Sequence, residues 1–194
     1  DYHDLGYISE AMFSYFLQLG WSAKNDDDYF IDRATKLFTL EKINKSPAKF
    51  DLKKLNYINA KKLNSMKLSA VYKLVIDKFN LSLNDDEQKR FKSLLPELLK
   101  RVQVYTDLKD EFDWLFQQNF FCKDKNYQLK LQKNNLMLKD IGSLLKECEW
   151  NLENIKSCLN QYILENSLTF KEIGPMLRMA LTGKTNSPDL ILII

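Results

Sequence analysis

The stretch NDDEQKRFKSLLPELLKRVQVY, residues 84–105, decides the fold class. Asn84 offers a side-chain oxygen to the unpaired amides of a first helical turn. Asp85, Asp86 and Glu87 follow, placing three acids at the positive end of that helix. Apolar residues then recur three and four apart, a helical rather than a strand period. Pro96 lies well inside the pattern, so the spacing predicts a kink there, or two helices meeting. Arg101 comes directly after the apolar run LLPELLK.

Working outward, the same period returns on both sides. On the N-terminal side, SMKLSAVYKLVIDKF at 65–79 is amphipathic, with Ser65 as its expected cap, and DLKKLNYINAKKL at 51–63 carries apolar residues at 52, 55, 58 and 63. NKSPAKF at 44–50 breaks the pattern at Pro47 and reads as a loop. Thr39 followed by LEKI reads as one short turn, and YFIDRATKLF as a short helix behind the acidic run Asp26–Asp28. ISEAMFSYFLQLGW at 8–21 predicts a helix capped by Ser9 and stopped by Gly20. On the C-terminal side, DLKDEFDWLFQQNFF continues the helical period, 122–130 is polar and turn-like, and helices are expected near 131–148, 152–166 and 170–182. With five glycines, four prolines and no Asn-Gly or Asp-Gly hairpin turn, no strand is expected. The expectation is an all-α fold of eight to ten short stacked helices, divided at 1–64, 65–121 and 122–194, with 122–130 as the seam between two helical subdomains.

Composition narrows the function classes. The chain has 194 residues, 45% hydrophobic and 28% charged, as a globular rather than a disordered chain would. No apolar run is long enough to cross a bilayer, and no signal peptide opens the chain. Cys122, Cys148 and Cys158 have neither CxxC spacing nor an even count, so reduced thiols in the cytoplasm are expected, without a disulfide framework or a metal site. The chain opens on Asp1 and stops inside the apolar run LILII, so it reads as a piece of a longer protein. Catalysis finds little support. The one histidine, His3, stands near a chain end, and the carboxylate pairs Asp85-Asp86 and Asp110-Glu111 sit near helix starts, where they complement the dipole. TGKT at 182–185 has the end of a phosphate loop, but that loop needs a glycine at position 178, where Arg178 stands on a helical rather than a strand pattern.

Charge distribution points to recognition. Net charge is +3, yet residues 42–67 hold eight lysines against one acid, Asp51, a local +7. Such a segment is either a solvated helical face or a surface that follows phosphates. Arginine is scarce, present only at 33, 90, 101 and 178. Its planar fork can read a base edge, which a lysine point charge cannot. The alternative for Arg101 and Arg178 is a stem laid along an apolar edge with its head in water.

Four blocks resemble the C-terminal region of bacterial glutamyl-tRNA synthetases: DLGYISEAMFSYFLQLGWS at 4–22, NKSPAKFDLKKLNYIN at 44–59, LLKRVQVYTDL at 98–108 and PMLRMALTGKTNSPDL at 175–190. They occur in order across nearly the whole chain. The resemblance implies a class I synthetase lacking its catalytic domain: a stem-contact segment at 1–64 and two helical anticodon-binding subdomains at 65–121 and 122–194. The parent would join glutamate to tRNA(Glu) with ATP and magnesium, as a cytoplasmic monomer. This piece would hold no catalytic residue, metal or cofactor, and would bind tRNA rather than DNA or a membrane. By the resemblance, Arg101 matches the reader of the third anticodon base, and Arg178 and Leu190 match contacts to the first. Lys45, Lys53, Lys54, Lys61 and Lys62 would follow the tRNA backbone. Two alternatives stay open: a helical protein-interaction module without RNA binding, and a relaxed synthetase that also charges tRNA(Gln).

Overall fold

A computed structural model describes residues 1–21, 31–45, 47–116 and 125–194. The structure is 73% helical, and among the described residues it has eleven α-helices and no strand, as the all-α expectation holds. One isolated antiparallel bridge joins Trp21 to Ile43. The Asp26–Asp28 run, Cys122 and the first part of the 122–130 seam lie outside the described residues.

The chain forms two compact units, Asp1–Asp110 and Glu111–Ile194. The first holds α1 (Ser9–Gly20), α2 (Ile31–Leu37), a 3-10 turn (Leu40–Lys42), α3 (Leu52–Ser65), α4 (Leu68–Phe79), α5 (Asp85–Leu99) and a 3-10 turn at Tyr105–Asp107. Helix α6 (Leu108–Phe116) runs out of it into the second unit, which continues with α7 (Lys125–Lys133), α8 (Asn135–Glu147), α9 (Leu152–Glu165), α10 (Phe170–Thr182) and α11 (Leu190–Ile193).

Local chemistry explains most boundaries. Asn84 caps α5 by accepting from the Asp86 and Glu87 amides at 3.1 and 3.0 Å, while the Glu87 carboxylate accepts from the Asn84 amide at 2.9 Å. This reciprocal box fixes the helix start. Helix α5 runs through Pro96 as one element. The proline stands in the last turn, so the bond it forfeits is the one to the Lys92 carbonyl, on an exposed residue that water can serve. Two expected caps differ. Ser9 and Ser65 are the first residue of α1 and the last of α3, and the N-caps are Ile8 and Lys67. A serine before an apolar run marks the neighbourhood of a helix end, but tertiary contacts choose the residue. Residues 125–130 are helical in α7 rather than turn-like, because an exposed helix can be polar all round.

In the first unit α3 is the centre, packed against α1 and α5. It buries Leu55, Ile58 and Leu63 on one face, with Asn59 at 0% exposure among them. That amide makes three bonds. Its Oδ1 accepts from the Ile8 N–H at 2.9 Å, and its Nδ2 donates to the carbonyls of Gln103 and Gly6 at 2.7 and 3.3 Å. The N-terminal segment thereby joins the segment after α5. Around this hub the Tyr105 N–H donates to the Gly6 carbonyl at 3.2 Å, and the Thr106 hydroxyl to the Leu5 carbonyl at 2.9 Å. Gly6 has φ +92°, and a Cβ there would stand 2.8 Å from the Thr106 nitrogen, so only glycine fits. Burial raises the phenol pKa values of Tyr7 and Tyr105, and both act as donors, Tyr7 to Asn56 Oδ1 and Tyr105 to the His3 carbonyl.

The second unit closes on an apolar cluster of Ile141, Leu145, Ile155, Leu159, Ile173, Leu177 and Leu190, drawn from α8, α9, α10 and α11.

Asn59→Leu keeps the volume near constant and leaves the Ile8 amide and the Gln103 carbonyl unpartnered. It is expected to lower the unfolding free energy by about 3 kcal/mol in a urea titration. A loss below about 1 kcal/mol would show that the hub does not hold the unit together.

Candidate nucleic-acid interface

The lysine segment becomes a surface when α3 is folded. Lys53, Tyr57 and Lys61 recur four residues apart on its outer side, with Lys54 beside them, and all four are exposed. Tyr57 is 60% exposed, which puts an aromatic ring between two ammonium groups. Sequence reasoning passed over Tyr57. The signal was there in the Lys-x3-Tyr-x3-Lys spacing, but only a settled helix phase shows which residues share the outer face. Lys45 is exposed in the loop that leads to α3. Among the described residues, Lys45, Lys53, Lys54 and Lys61 form no ion pair, so their charge is unneutralised. Asp51, the segment's one acid, accepts from the Lys54 backbone N–H at 3.1 Å as the cap of α3.

Lys62 differs. It is 2% exposed. It lies four residues from Ile58 and seven from Leu55, which puts it on the inward face of α3. Its ammonium is not part of the outer lysine surface.

Arg101 stands half-buried in the turn that ends α5. Its backbone N–H donates to the Leu98 carbonyl at 3.1 Å. Both flanks are tied to α3. On one side Asn64 Nδ2 reaches the Leu99 carbonyl at 3.3 Å, and on the other Asn59 holds the Gln103 carbonyl. Val102, next in the chain, is buried. The turn that carries the guanidinium is therefore fixed on two sides by side-chain amides, one buried at Asn59 and one exposed at Asn64.

Arg178 lies in the second unit, half-buried on α10. Its guanidinium makes no hydrogen bond or ion pair with any described residue. Its helix is locked at both ends. At the start, the Thr169 N–H and hydroxyl both donate to the Glu172 carboxylate, at 2.7 and 2.8 Å, and the hydroxyl bond holds that carboxyl below its ordinary pKa. At the end, the Thr182 hydroxyl donates to the Arg178 carbonyl at 2.8 Å. Gly183 then takes the left-handed conformation, φ +67°, and its N–H donates to the Met179 carbonyl at 2.9 Å. TGKT is thus a helix stop, not a phosphate cradle.

Leu190 is 1% exposed and packs in the cluster with Ile173 and Leu177. Its side chain faces the core, because α11 must bury its apolar face against α9 and α10. The Asp189 carboxylate caps that short helix by accepting from the Ile191 N–H at 2.8 Å.

Chemistry beyond binding has little to use. Among the described residues the one grouping with metal-ligand atoms is Asp1, His3 and Asp4, all in open solvent, with Asp4 already paired to the amino terminus at 3.1 Å. No helix among the described residues is long and apolar enough to cross a membrane.

Comparison with known proteins fits this geometry. The chain is 34% identical to a glutamate–tRNA ligase of Hyphomonas neptunium, over 97% of this chain and 40% of that enzyme. It is 31% identical to the glutamate–tRNA ligase of Buchnera aphidicola subsp. Baizongia pistaciae, over all of this chain and 42% of that enzyme. It thus spans about two-fifths of the length of these relatives, their C-terminal part. Among solved structures, a glutamate tRNA ligase from Elizabethkingia meningosepticum, in complex with its amino acid, superposes on the whole chain with a TM-score of 0.84 at 22% identity, over 39% of that protein. One from Elizabethkingia anophelis matches 99% of the chain and 38% of its own, with a TM-score of 0.80 at 23% identity. The family model described as "Anticodon binding domain" matches residues 57–194, a span that takes in most of α3, both arginine sites and the whole second unit, and the chain therefore belongs to the anticodon-binding domain family.

Proposed function

We propose that this chain recognises the anticodon of tRNA(Glu) as the C-terminal region of a glutamate–tRNA ligase. The observation that carries this reading is Arg178: a forked donor with no partner among the described residues, on a helix whose two ends are both fixed, inside the residues matched to the anticodon-binding family. Anticodon bases are single-stranded and splayed, so their edges are open to such a fork. Arg101 is the reader of the third anticodon base and Arg178 a reader of the first. Leu190 serves the first-base site from inside the core, by holding α11 against the helix that carries Arg178. The outer lysines of α3, with Lys45, follow the phosphate backbone and add affinity without sequence information.

The parent enzyme joins glutamate to tRNA(Glu) with ATP and magnesium, acting as a cytoplasmic monomer. Those steps belong to the part of the enzyme that precedes this region. This region contributes the choice of tRNA.

Arg101→Gln is expected to reduce the preference for the cognate third base by about 1–3 kcal/mol, read from the binding of anticodon stem-loops that differ only at that base. Equal weakening for both loops would remove Arg101 from base reading. Lys53→Ala, Lys54→Ala and Lys61→Ala together are expected to weaken all tRNAs alike and to flatten the slope of log K against log[salt] by about 0.9 per lysine. Lys62→Ala should leave that slope at the parent value. A triple variant with the parent slope would count against the phosphate-tracking surface.

A further inference from the structure

One flank of α10 holds a feature that base-edge reading by Arg178 does not explain. Phe170, Gly174 and Arg178 recur four residues apart, so they lie one above another along the helix. Gly174 is buried although it has no side chain, because its neighbours close over it. A Cβ at Gly174 would lie 3.2 Å from Phe170 Cε1 and 3.5 Å from Arg178 Nη1. The ring and the guanidinium therefore both border the space that a Cβ at Gly174 would take, and a larger side chain there would displace one or both.

Neither residue is accounted for by the fold. A glycine in a helix interior weakens the helix relative to alanine. Phe170 is 42% exposed at the first position of α10 and lies outside the apolar cluster of its unit. The hydrophobic contact that usually fixes a helix entry joins the residue before the cap to the fourth helical residue. Here Leu168 and Ile173 hold those positions and both pack in the cluster, so Phe170 is not needed for the entry. Its backbone is nevertheless pinned, since Thr169 just before it is bound twice to Glu172.

We propose that Phe170, Gly174 and Arg178 form one nucleotide-base platform, in which the Phe170 ring stacks on the face of the base whose edge Arg178 reads. Gly174 is the notch that lets the ring and the guanidinium lie close together on the helix. The proposal rests on the reading of Arg178 as a base contact and adds to it a stacking residue and a backbone requirement. A ring stacks on any base, so Phe170 supplies affinity and orientation, and Arg178 supplies the choice. An edge-on fork alone would leave the base free to tilt. A ring beneath the base restricts that tilt before the hydrogen bonds form.

The test uses the whole chain and an anticodon stem-loop with 2-aminopurine at the first anticodon position, together with unlabelled loops that carry each base there. Binding of the parent is expected to quench the 2-aminopurine fluorescence. Phe170→Ala should abolish the quench and weaken every loop by roughly 5- to 100-fold, with the ratio between bases kept. Phe170→Tyr should restore both affinity and quench. Gly174→Met should lose the quench and also the ratio, although Phe170 and Arg178 are both still present. Arg178→Gln should lose the ratio and keep the quench. Parent-like affinity and quench in Phe170→Ala, alongside a lost ratio in Arg178→Gln, would overturn the platform and leave base reading standing. An unchanged ratio in Arg178→Gln, or no binding by the parent, would overturn both. Thermal melting controls for folding, and Phe170→Ala should melt with the parent because that ring is outside the core.

Discussion

The buried amide of Asn59 is the interaction on which the first unit depends. Three segments far apart in sequence meet on one side chain: the N-terminal entry at Gly6 and Ile8, helix α3, and the turn after α5. An amide suits this place because it carries both an acceptor and donors, and each segment end presents a backbone group that no helix satisfies. A leucine would fill the space and strand those groups. The hub also sits two residues from the guanidinium-bearing turn. Whatever fixes Gln103 fixes Arg101 on one flank, and Asn64 fixes the other through Leu99. Stability and recognition in this unit therefore run through the same two asparagines of α3.

Helix α3 divides its labour by face. Inward, it supplies Leu55, Ile58, Asn59, Lys62 and Leu63 to the core. Outward, it presents Lys53, Tyr57 and Lys61. The outer charges act at a distance set by screening, about 8 Å at physiological salt, and they attract any nucleic-acid backbone. On the proposed reading the two arginines act only on contact, through hydrogen bonds worth about 1–3 kcal/mol of discrimination each. Affinity without choice and choice with modest affinity thus reside in different residue types. Two of the chain's four arginines are the proposed readers, in a sequence whose other basic residues are nearly all lysine.

Helix periodicity was legible because it is local. Asn84 with its trailing acids sets the start of α5, and the apolar spacing sets its inner face, so a short window contains all the information. Ser9 and Ser65 were misplaced as caps because the cap is chosen by what lies across from it, as when Asn59 serves the Ile8 amide before α1. The phase of α3 decided the lysines: Lys61 and Lys62 are neighbours in sequence, yet one faces water and the other the core. The burial of Leu190 was not legible, since five apolar residues in a row do not reveal which one faces inward. The Asn59 hub was invisible, because its partners are more than forty residues away in sequence.

Arg178 sits on a helix whose two ends are fixed, which suits the base-reading role proposed for it. A free arginine has several rotatable bonds, and ordering them at the moment of binding costs about 0.5–1.5 kcal/mol, comparable to what one base contact gains. Half-burial of the residue limits that freedom in advance, while the Thr182 bond to the Arg178 carbonyl and the twice-bonded Thr169 fix the backbone from which the side chain extends. The guanidinium itself has no partner among the described residues, so no ion pair would have to break before the proposed base contact forms. The helix ends are satisfied within the chain while the fork has no partner among the described residues, so on the proposed reading the fork is what this helix offers to a base.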